Sequence, residues 1–250
     1  MHSCLRKVRL QAYPDAVAEG KKRLQDIFHS GEIHTVILSN ESAFGDPFSD
    51  DKAGFFPFLP TALEGIRQIF EGHEVETHFI ARNLMHLLPS FYIQRVRQGA
   101  TYSASHFYAR SCRENLSWQP IISALRTQLP SASLELHFFE DLVQKADNAL
   151  AHTLVPAAMP QGHSMSTSLV QRNRAVGARA ISSMLFLNKT AARYAQLRHQ
   201  PVEPIIEKLR KSLHPVAELF GGTKLRLPET LASALNTQYA ADKIALGVKV

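Results

Sequence analysis

Cysteine is the scarcest reactive residue in this 250-residue sequence, present only as Cys4 and Cys112. Two cysteines make no disulfide framework, and these lack the paired spacing of a structural zinc site. A reducing environment is the simplest setting, and a cytoplasmic location is expected. Long apolar runs are missing too; none approaches the roughly 20 residues that span a bilayer. The opening MHSCLRKVRLQAYPDAV is basic but has no apolar stretch behind it, which argues against a secretory signal. There is no internal repeat, no long low-complexity tract and no recognised DNA- or RNA-binding motif. A nucleic-acid partner is therefore not expected.

What is present suits a globular chain with a real core. Hydrophobic residues make up 45% and charged residues 20%, in a length that fits one large domain or a domain with an appendage. The net charge of +6 is uneven. Residues 1–150 hold 15 Lys and Arg against 17 Asp and Glu, or −2, and residues 151–250 hold 13 against 5, or +8. That surplus suits nucleic acid, anionic lipid or an acidic glycan, and equally suits solvated helix faces, since the basic residues are spread along the chain.

Periodicity gives the coarse order. Residues 15–29 read as an amphipathic helix with Val17, Leu24, Ile27 and Phe28 on its apolar side. HTVILS (34–39) reads as a first strand, followed by a Gly/Pro-rich loop at 40–57. A helix over 61–72 ends on Gly72, EVETHFIA (74–81) is a second strand, and a helix over 82–99 ends on Gly99. Helices near 103–113 and 117–128 precede a third strand at 134–139 and a helix at 140–154. This alternation predicts right-handed crossovers and a parallel sheet, its short apolar strands covered on both faces. Beyond a Pro/Gly/Ser-rich connector at 156–168 the remaining segments, near 168–188, 201–214 and 228–242, read as helices. The expected organisation is an α/β core over 1–155 with a helical C-terminal extension over 156–250 packed on it.

The second strand delivers Arg82 at its carboxyl end, where open α/β sheets bind ligands. The helix after it begins with unpaired N–H groups suited to phosphate, and Ser90 lies eight residues beyond Arg82. A guanidinium offers a planar fork of donors to phosphate oxygens, and a hydroxyl adds one more hydrogen bond.

The run Arg82-Asn83 … Ser90-Phe91-Tyr92 resembles the element with which sulfotransferases hold the 3′-phosphate of 3′-phosphoadenosine-5′-phosphosulfate (PAPS). Other segments resemble a bacterial branch of that superfamily acting on surface polysaccharides and lipids. They are TVILSNESAFG (35–45), SFYIQRVRQGATYSASHF (90–107), LSWQPIISALR (116–126) with LELHFFEDL (134–142), and MSTSLVQRN … LFLN (165–188). The resemblance covers most of the chain from about residue 33 onward. It implies a three-layer parallel sheet of the P-loop/sulfotransferase type and a helical C-terminal part. It also implies PAPS as sulfuryl donor, a carbohydrate or glycolipid acceptor, and no metal. A transmembrane segment is not expected, and peripheral membrane contact is compatible with a lipid-linked acceptor.

The superfamily's first strand and its phosphate loop, Gly-x-x-Lys-Thr-Gly-Thr-Thr, have no match here. Gly20, in AEGKKRLQD, follows no strand, and neither Gly31 nor Gly45 precedes Lys-Thr or Lys-Ser. That loop would cradle the 5′-phosphosulfate, and its Lys would stabilise the leaving phosphate. The chain is thus expected to be part of a longer protein or a naturally short relative. Two functions stay open: sulfuryl transfer, and a non-catalytic module binding nucleotide or glycan.

Sulfuryl transfer needs a base for the acceptor hydroxyl. The resemblance points to Glu41, just past the first strand, which could equally complete a turn with Asn40 and Ser42. Among the 12 histidines, His34, His78 and His137 fall in or beside strands and read as core or strand-end residues, with no Cys/His cluster for zinc. Trp118 reads as packing or a staple, and Tyr92 and Gln94, one turn from Ser90, could touch nucleotide or acceptor.

Overall fold

The computed structural model describes residues 13–29, 35–36, 38, 43–49, 52, 54–113, 116–129, 132–144, 176–212 and 222–247. It is mixed α/β and mostly helical, with a two-stranded parallel sheet. The chain divides into two compact units. One contains residues 1–82, 114–168 and 239–250; the other contains 83–113 and 169–238. The expected boundary at 155/156 lies outside the described residues.

In the first unit, α1 (Tyr13–Phe28) packs on α2 (Leu59–Ile69). The approach is close because position 20 is glycine: a Cβ there would sit 2.8 Å from Ile69 Cδ1. Helix α2 also meets α5 (Gln119–Gln128), which starts on a proline turn. Leu63, Ile69, Ile122 and Leu125 are almost wholly buried in this unit, each contributing about 2 kcal/mol of apolar burial. The α2 stripe of Ala62, Leu63, Ile66 and Ile69 has the spacing of a single helix face.

Strand β1 (Val75–Ala81) pairs in parallel with β2 (Ala132–Phe138), joined by a long helical connection as parallel pairing requires. The pairing runs from Val75↔Ala132 to Ala81↔Phe138. One face carries Phe79, Ala81 and Phe138, all buried. The other carries Glu76, His78, Glu135 and His137. The expectation of strands apolar on both faces is therefore corrected: both alternate, as strands of a sheet with one polar face do. Of the expected first strand at 34–39, Thr35, Val36 and Leu38 are described and are not in a strand; the rest lies outside the described residues. Helix α6 (Phe139–Gln144) leads directly from β2; the remainder of the expected 140–154 helix is outside the description.

In the second unit, α3 (Leu84–Arg97) packs on α7 (Ala178–Leu197), and α4 (Ala104–Ser111) packs on α3. Leu84, Leu88, Tyr92 and Val96 recur every fourth residue along α3 and are all buried. Asn188 on α7 is fully buried, and its Nδ2 donates to the carbonyls of Val96 at 2.7 Å and Ala100 at 3.0 Å. That closes the carboxyl end of α3, where helix carbonyls lose their own partners. Gly99 follows in the left-handed region, φ 107°, with α8 (Glu203–Ser212) against it through Ile206. The final helix α9 (Glu229–Ala245) contributes residues to both units. Among the described residues, no helix is long and apolar enough to cross a membrane.

Candidate functional site

Arg82 leaves the carboxyl end of β1, and its backbone carbonyl accepts the indole Nε1–H of Trp118 at 3.0 Å. Trp118 is buried among aromatic rings, 5.0 Å from Phe55 and 5.6 Å from Phe79 between centroids. Its packing role is as expected, and the indole also fixes the path of the chain at the strand exit. The Arg82 guanidinium lies over the Phe139 ring, 5.0 Å from its centroid. Among the described residues its Nε is buried with no hydrogen-bond partner. A buried donor left without an acceptor is costly, so this atom suits an anionic oxygen brought by a ligand.

Asn83 is the N-cap of α3: its Oδ1 accepts from the Met85 N–H at 3.0 Å, while its Nδ2 donates to Asn236 Oδ1 at 2.9 Å. The side chain is committed to holding the helix start. Ser90 lies on the exposed side of α3, away from Leu84, Leu88 and Tyr92. Pro89 before it has no N–H to give the Met85 carbonyl. Ser90 belongs to the second unit and Arg82 to the first. Glu41 lies outside the described residues.

Tyr92 is a core residue. Its hydroxyl donates to the Tyr102 carbonyl at 3.1 Å, and burial pushes its pKa up to about 12. Gln94 is exposed. The one Gly-Lys step near the start of the chain, Gly20-Lys21, lies inside α1 with Gly20 against Ile69, so it is a helix-packing glycine.

The strand register assembles a cluster that the sequence reading set aside. His78 stands opposite Glu135, one pleat from His137. His78 Nδ1 and His137 Nε2 are 3.0 Å apart, and Glu135 Oε2 lies 3.7 Å from each of them. Glu76 Oε1 is 3.0 Å from the other nitrogen of His78. The available signal was Glu-x-His, which occurs in both strands, at 76–78 and at 135–137. Elsewhere, an open depression of about 500 Å³ in the second unit is lined by Arg193, Gln196, Leu197 and His199.

Comparison with protein-family models, with curated proteins and with solved structures gave no match to this chain.

Proposed function

We propose that this chain is a sulfotransferase-like protein in which Arg82 holds the 3′-phosphate of PAPS and the acceptor is a carbohydrate or glycolipid hydroxyl. The observation that carries the reading is Arg82 Nε, buried without a partner among the described residues, immediately beyond the end of a parallel strand. Sequence supports it through the ordered resemblances from about residue 33 onward. A three-layer sheet, Glu41 as base, a cytoplasmic location and peripheral contact with a lipid-linked acceptor all belong to this proposal. The reaction itself calls for no metal.

The reactive end of the donor fits less well. No residues here match the loop that would cradle a 5′-phosphosulfate, and Gly20 is occupied in packing α1 on α2. A second reading is a non-catalytic module that keeps the 3′-phosphate contact and binds nucleotide or glycan.

Calorimetry with 3′-phosphoadenosine-5′-phosphate tests both. Saturable binding by the full chain, weakened at least tenfold in Arg82→Ala and less in Ser90→Ala, is expected. No measurable affinity of the wild-type chain overturns the proposal. Transfer of labelled sulfate from PAPS to glycan or glycolipid acceptors then separates enzyme from binding module.

A further inference from the structure

We infer that His78, His137 and Glu135 form a binding site for a divalent zinc-class ion, with Glu76 orienting His78 from behind. The three ligand atoms are His78 Nδ1, His137 Nε2 and Glu135 Oε2, with separations of 3.0, 3.7 and 3.7 Å. A point equidistant from the three lies about 2 Å from each, the bond length zinc makes to imidazole nitrogen and carboxylate oxygen. Two imidazoles and one carboxylate are also a donor set that zinc accepts, with a position left for water or an exchangeable ligand.

The fourth residue is a separate observation pointing the same way. Glu76 Oε1 lies 3.0 Å from His78 Nε2. A carboxylate this close to Nε2 favours the tautomer with its proton there, which leaves the Nδ1 lone pair for the cluster. This is the carboxylate–histidine arrangement that commonly stands behind a metal ligand. The backbone supports the geometry, because all four residues project from one face of a register-locked strand pair. Both histidines are mostly buried, with side chains 17% and 11% exposed, so their ring positions are held by packing.

Without an ion, His78 Nδ1 and His137 Nε2 share one hydrogen-bond proton. Metal binding displaces it to the other nitrogen of the ring that carried it, so both imidazoles bind as neutral ligands. Small rotations of the rings then turn both lone pairs from each other onto the ion. A histidine pair that is only hydrogen-bonded is the competing account.

The test titrates the full chain with Zn²⁺ by calorimetry and with Co²⁺ by visible absorption. The expected result is one ion per chain and the ligand-field bands of four-coordinate Co²⁺. Glu135→Gln, which preserves size, should weaken binding about a hundredfold, and Glu76→Gln by about 10- to 100-fold. Exposed His106→Ala should change nothing. Circular dichroism verifies that each variant is folded. Absence of one-to-one binding by the wild-type chain overturns the proposal. So does affinity that survives His78→Ala and His137→Ala together, since the ion would then sit on other histidines. Neither outcome depends on whether the chain binds nucleotide.

Discussion

The Asp242 carboxylate accepts the backbone N–H of Trp118 at 2.7 Å, across 124 residues of sequence. It also takes the Ser117 hydroxyl at 2.7 Å and Gln119 Nε2 at 3.3 Å. Asp242 is fully buried, and a buried carboxylate persists only when its oxygens are satisfied in this way. It serves as the cap of α5, supplied from the far end of the chain. Asp242→Ala strips several donors at once and should cost about 3 kcal/mol. Asp242→Asn should cost less, because one acceptor oxygen remains. Urea unfolding monitored by Trp118 fluorescence measures both, and a loss below about 1 kcal/mol for Asp242→Ala would contradict the capping role.

Asn188 should respond in the opposite chemical sense. Its amide donates to two carbonyls, so Asn188→Asp places acceptor against acceptor in a buried site. We expect about 2 kcal/mol lost for Asn188→Ala and more for Asn188→Asp. Equal losses would mean that the site is filled for volume only.

Two glycines separate backbone strain from crowding. Gly72 has φ 81° with open space where a Cβ would go, so Gly72→Ala should cost only the left-handed penalty, about 1 kcal/mol. Gly99 has φ 107°, and an added Cβ would lie 2.6 Å from Ile206 Cγ2. Gly99→Ala should therefore lose roughly 1 to 3 kcal/mol beyond the Gly72 value. Thermal unfolding of both variants provides the comparison.

Alkaline pH should destabilise the chain over a defined window. Burial raises Tyr92 to about 12, burial with the nearby Tyr92 and Cys112 raises Tyr108, and burial with the Glu140 hydrogen bond raises Tyr239. These groups hold their protons more tightly folded than unfolded. Their contribution is complete below pH 10 and is lost as pH rises through about 12. Phenolate absorbance should show three of the six tyrosines ionising only together with unfolding. Early, independent titration of all six would contradict this.

Most helices were legible because each buries one stripe whose spacing is local, as α2 and α3 do. Gly72 and Gly99 marked helix ends for the reason the backbone shows, a positive φ. Strands β1 and β2 were placed within two residues at either end. Their faces were not legible, because apolar content alone suggests strands covered on both faces and each Glu-x-His is unremarkable within its own strand. Only the pairing of His78 with Glu135 shows that the two copies interlock. Arg82 could be placed at a strand exit from sequence, but the indole holding its carbonyl and the ring beneath its guanidinium come from distant segments. Asn83 and Asp242 were not legible as caps, since one resembles a motif residue and the other acts across 124 positions.

The contribution of α9 to the first unit has a consequence for biosynthesis. Tyr239 donates to Glu140 at 2.5 Å, Lys243 reaches Asp141 at 2.7 Å, and Asp242 holds the start of α5. A ribosome delivers these partners well after the residues they hold. While the chain is being made, Ser117, Trp118, Glu140 and Asp141 have emerged without the groups that finally hold them. The first unit therefore completes its polar contacts only after the intervening 70 residues of the second unit, 169–238, have been synthesised. Closing contacts this distant in sequence makes folding slow, and it ties the maturation of the strand-exit region around Arg82 to the arrival of the final helix.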